Sequence, residues 1–154
     1  MRFRRHCAAG LLVACALAAP VAVAQSVKAA NVWARATAPG QNTAGVYFDL
    51  TSDRDAALVA AGSPAAARAE LHAMTLDGGV MRMRPLARID LPAAQTVRLT
   101  PSGMHLMLVD LKQPLKAGDH LPLVLSIQSS GSSLTTLKVE AQVRAFDGSE
   151  PHQH

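Results

Sequence analysis

The chain has 154 residues, 49% of them hydrophobic and 17% charged, and a formal net charge of +4. That charge is concentrated at the start: of 15 Lys plus Arg, three (Arg2, Arg4 and Arg5) belong to an N-terminal leader. The remaining 12 basic residues face 11 acidic ones, a balance of about +1. A clustered basic face for nucleic acid is thereby excluded, and a thiolate metal site is excluded with it, because both cysteines, Cys7 and Cys15, lie in the same leader.

In chain order, residues 1–24 read as an export signal: the basic start, an apolar stretch from Cys7 to Pro20 too short to span a bilayer, and an Ala22-Val23-Ala24 cleavage site. Leu12-Val13-Ala14-Cys15 also resembles the box before a lipidated cysteine, but the apolar segment ahead of Cys15 is very short for that use. The mature protein is expected to begin at Gln25, to be periplasmic and monomeric, and to insert no segment into the membrane. Residues 25–146 then alternate short apolar runs with turn residues such as Pro39-Gly40, Ser52-Asp53 and Gly62-Ser63-Pro64. Runs of that length between turn signals predict strands. Eight or nine strands are expected, the last two joined as a hairpin through "SSGSS". Alanine-rich Pro64 to Glu70 is the one place where helix propensity competes. The fold class is all-β, a single-domain sandwich or small barrel, with Trp33, Tyr47 and Phe48 expected in its core and His120 in a turn. Residues 147–154 form a short tail carrying His152 and His154.

Five of the six methionines fall between Met74 and Met107, and His72 and His105 each stand two residues before one of them. Gap-filling methionine would be scattered over every strand. Residues at i and i+2 of a strand share a face, so His72 projects with Met74, Met81 with Met83, and His105 with Met107. If the three segments are neighbours, imidazole nitrogen and thioether sulfur converge. Thioether is soft and uncharged and favours Cu(I); zinc sites use Cys, His and carboxylate; blue copper needs a Cys that the mature chain lacks. Bound Cu(I) is what remains. No nucleophile with a paired base stands out, so the expected activity is carriage rather than catalysis.

These spacings resemble a known family, the periplasmic copper chaperones called PCuAC. Its pattern is a His, ten residues, a Met, twenty-one residues, then His-x-Met, and His72, Met83 and His105-Leu106-Met107 meet every spacing. "VWARATAPGQNTAGVYFDLTS", "AELHAM", "GVMRMRPL" and "GMHLMLVDLKQPLKAGDHLPLVL" also look like the family, over Asn31 to Phe146. The resemblance implies a cupredoxin-like Greek-key sandwich carrying one Cu(I) on His72, Met83, His105 and Met107. It further implies delivery of copper to a respiratory cytochrome oxidase, alongside a Sco-type thiol protein. Met74, Met81 and Met104 fall outside the four-ligand pattern and are expected to pack, with transient ligation by Met74 or Met81 as the alternative. His152 and His154 could hold a weak Cu(II). Two other readings stay open: copper sequestration without a dedicated acceptor, and an exported β-sandwich interaction module that binds no metal.

Overall fold

The computed structural model describes residues 26–145, so the expected leader, the alternative lipidation at Cys15 and the histidines of the tail lie outside the described residues. Ten strands follow one another: β1 (Val27–Arg35), β2 (Thr43–Ser52), β3 (Ala56–Gly62), β4 (Ala66–Asp77), β5 (Val80–Pro85), β6 (Ile89–Leu91), β7 (Thr96–Leu99), β8 (Met104–Leu111), β9 (His120–Ser129) and β10 (Leu134–Arg144). The strand beyond the expected number is β6, whose three residues are too few to show an alternation. The alanine-rich stretch forms no helix. It enters β4 at Ala66, where Ala66 pairs with Leu111 and Ala69 with Leu108, and a run that short cannot repay helix nucleation.

All ten strands belong to one hydrogen-bonded sheet, ordered β5-β4-β8-β2-β1-β10-β9-β3-β6, with β7 also pairing β2. One edge of β2 is used twice, by β8 along Thr43–Val46 and by β7 along Phe48–Thr51. Among the described residues the one parallel strand pairing joins β1 to β10, beside an isolated parallel bridge between Ser52 and Ala93. The predicted "SSGSS" hairpin is present as β9 and β10, with Leu134 opposite Gln128. The β4–β5 hairpin closes through Gly78 and Gly79, at φ 59° and 83°. Positive φ at both central positions is what a two-residue hairpin loop of the right twist needs, and glycine adopts it without a Cβ penalty.

The sheet curls so that one face encloses a single core, including Phe48, Leu50, Leu58, Leu91, Leu106 and Leu125. Along β2 the inward stripe is Val46, Phe48 and Leu50. Phe48 therefore packs in the core as expected, and Tyr47 is also buried, 6% exposed, but outside that cluster. Tyr47 points to the opposite face and stacks there on Trp33, ring centroids 4.5 Å apart, while the Arg144 guanidinium lies 5.2 Å over the indole. Strict alternation forbids adjacent Tyr47 and Phe48 from sharing one side of a strand. His120 is likewise not in a turn: it opens β9 opposite Gln142, and its Nδ1 lies 2.7 Å from Glu140 Oε1.

Candidate metal centre

On β8, Leu106 and Leu108 fill core positions, which turns His105 and Met107 to the other face. On β4, Leu71 is the core residue, so Glu70, His72 and Met74 share that outer face. The register between the strands then decides which side chains meet. His72 stands directly opposite His105, and Glu70 opposite Met107. Across the other edge of β4, Met74 faces Met83, Leu76 faces Met81 and His72 faces Pro85. All four expected ligands occupy one face. The histidine pair is at the centre, Met107 lies beside His105, and Met83 stands diagonally from His72 on the outer strand.

The two imidazoles lie edge to face with centroids 5.9 Å apart, and their surroundings assign opposite tautomers. His105 Nδ1 is 3.1 Å from the Gly103 carbonyl oxygen. That oxygen only accepts, so Nδ1 carries the proton and Nε2 keeps its lone pair. His72 Nε2 is 3.2 Å from Glu70 Oε2, which favours a proton on Nε2 and leaves the lone pair on Nδ1. His72 Nδ1 is buried and has no hydrogen-bond partner. An unpaired buried polar atom costs about 1–3 kcal/mol, and a soft cation accepting that lone pair would remove the cost.

Burial lowers the pKa of His105 below the ordinary imidazole value of 6.5, the Gly103 carbonyl partly opposes this, and the neighbouring His72 adds to the lowering. The shift favours the neutral ring, the form that ligates a metal. Glu70 also receives Arg68, whose two terminal nitrogens lie 3.1 Å from Glu70 Oε1 and 3.1 Å from Asp110 Oδ2. Among the described residues, no three His, Cys, Asp or Glu side chains gather to hold a metal. On the face of the histidine pair the described residues offer thioether sulfur from Met107, Met74 and Met83 as further soft donors.

Sequence reasoning missed three supporting residues. Glu70 precedes His72 by two on the same face, a spacing that was readable. Tyr47 stands 6.4 Å from the His105 ring, centroid to centroid. Gly45 lies opposite Met107, where an added Cβ would overlap the Tyr47 hydroxyl oxygen and approach its ring carbon to 2.8 Å. Gly45→Ala should therefore push Tyr47 toward His105 and destabilise the apoprotein by about 1–3 kcal/mol, the usual cost of overpacking. A urea midpoint and the His105 ring resonances would check this; both unchanged would mean that the glycine is not required by the tyrosine.

The remaining methionines divide. Met104 packs against the core, as expected. Met81 does not: it is 49% exposed on the edge strand, where it shares the face of Met83 and no described strand packs over it.

Residues 27–142 match the family model described as "Putative lipoprotein LpqE-like". A curated relative from Leifsonia xyli subsp. xyli, "Putative lipoprotein Lxx21020", is 32% identical over 126 residues, covering 81% of this chain and 74% of that protein. The solution structure of Cu(I)-DR1885 from Deinococcus radiodurans is 32% identical, covers 84% of this chain and 81% of its own, and superposes with a TM-score of 0.56. The copper-bound PCuAC domain of PmoF2 shares the fold with a TM-score of 0.61 at 23% identity, over 78% of this chain and 93% of its own. Matched over nearly all of the described strands, the chain belongs to the LpqE-like family and has the all-β fold of the PCuAC domains.

Proposed function

We propose that this protein is an exported Cu(I) carrier, binding one cuprous ion as cargo through His72, Met83, His105 and Met107 and passing it on by ligand exchange. The observation that carries the reading is the cross-strand histidine pair with a buried, partnerless lone pair on His72 Nδ1, flanked on the same face by soft sulfur. Two neutral imidazoles and two thioethers bring no charge of their own, and the Glu70 carboxylate beside His72 supplies the compensating one. That acid holds and orients the ring rather than ligating, a role in which outer-sphere partners typically affect metal affinity by about 10–100-fold.

Copper-bound forms of DR1885 and of the PmoF2 domain support copper as the cargo, and the lipoprotein names of the relatives support export. Delivery to a respiratory oxidase, with a Sco-type protein as co-worker, is the acceptor reading we adopt, and it rests on the resemblance of the motif. The test is a cuprous titration of the chain from Gln25 to His154, which includes every strand of the fold, against a competing Cu(I) chelator. One tight equivalent is expected. No uptake would leave an exported β-sandwich whose histidines and methionines only pack.

A further inference from the structure

The proposed ligands differ sharply in accessibility. His105 is 3% exposed and the His72 side chain 12%, so the imidazoles offer an acceptor's ligand little open surface. Met83, in contrast, is 46% exposed and Met81 49%. Both lie on edge strand β5, two residues apart and therefore on one face, and that face is the one bearing the histidine pair. Met74, opposite Met83 on β4, continues the row of sulfur toward His72, two residues away.

Packing does not account for this row. Leu76, the cross-strand partner of Met81, is itself 70% exposed, so the outer end of the hairpin buries little apolar surface. Beyond His72, toward the hairpin's tip, the charges are on its other face, while Arg68 and Glu70 stand at the opposite end of β4. Arg82 and Arg84 alternate with the methionines, and both reach Asp77, at 3.5 and 3.0 Å. The result is an open thioether surface kept clear of cations and joined edge to edge with a buried imidazole pair.

We propose that Met74, Met81 and Met83 form a second, weaker Cu(I) site on the β4–β5 hairpin, a port through which the ion enters and leaves the histidine pair. The proposal rests on the reading of that pair as the tight site. Met83 is the ligand common to both positions and stays bound while the others change. On the way out, Cu–N bonds to His72 and His105 and the Cu–S bond to Met107 break as Cu–S bonds to Met74 and Met81 form. The ion remains Cu(I) throughout, and no proton or electron is transferred. A site made only of thioether is soft but weakly donating, which suits short residence. The acceptor then meets an ion already at the surface.

Met81→Leu removes the outermost sulfur and nearly conserves volume at an exposed position. The chain from Gln25 to His154, loaded with one equivalent of Cu(I), would be challenged with excess bicinchoninate and the appearance of the chelator complex timed. Release from M81L is expected to be at least fivefold slower than from the wild type, with one tight equivalent retained; a smaller change overturns the port. Independently, one equivalent of Cu(I) added to His72→Gln, in which the tight site has lost an imidazole while all three hairpin sulfurs remain, should shift the methyl resonances of Met74 and Met81, and unmoved resonances overturn it equally. Wild-type protein that takes up no Cu(I) at all would instead overturn the carrier function itself, whereas normal uptake with unaltered M81L release would overturn the port alone.

Discussion

Replacing Met83 and Met107 together by leucine is expected to weaken Cu(I) binding by more than about 100-fold, the upper end of what the loss of an outer-sphere partner costs. Leucine is close to methionine in volume but has no sulfur lone pair, so the substitution tests ligation rather than packing. Neither site is a core position: Met83 lies on an exposed edge strand and Met107 on the outer face of β8. Stability should accordingly change by less than about 1.5 kcal/mol, as for other volume-conserving swaps. The ion would be left with two imidazoles on adjacent strands. Competition with a cuprous chelator reads the affinity and urea unfolding reads the fold. Unchanged affinity in the double variant would remove both sulfurs from the ligand set.

The largest effect on stability is expected one residue away. Leu106 sits between His105 and Met107 but faces the opposite side of the sheet, where it is fully buried between its cross-strand partners Val46 and Leu71. Leu106→Ala leaves a cavity in that layer and should cost about 2–5 kcal/mol, a large share of the roughly 5–15 kcal/mol by which a domain of this kind is stable. Its metal face is untouched, so the folded fraction should still take up Cu(I). Ligand present at about 100 times its dissociation constant would return about 2.7 kcal/mol, and the urea midpoint of L106A should rise on loading. A midpoint that falls little without metal would mean that β8 is not held by its inward leucines.

Much of this was legible in the sequence, for identifiable reasons. Strand alternation is local, so the all-β class, the β9–β10 hairpin and the shared face within each His-x-Met unit could be read from i, i+2 spacing alone. The same rule, applied strictly to neighbouring residues, separates Tyr47 from Phe48 as well. Pairing between distant strands is not local. That His72 faces His105 directly, and that Met83 reaches the face only by way of Met74, depends on how β4, β5 and β8 slide against one another. The close approach of Tyr47 to Gly45 has the same origin, since it requires the outer face of β2 to be seen beside β8. Burial was misjudged where composition suggested it: Met81 is apolar, yet an edge strand has nothing to pack it against, and Trp33 is large but lies on the face away from the core.

The diglycine loop after Asp77 governs more than the shape of one hairpin. Because β5 alternates methionine with arginine, slipping it by one position against β4 would swing Met81 and Met83 to the far side and put Arg82 and Arg84 beside the imidazoles. A surface hospitable to a soft cation would become one that repels it, with the composition of the chain unaltered. The chemistry available at this edge is therefore set by the length of a two-residue connection.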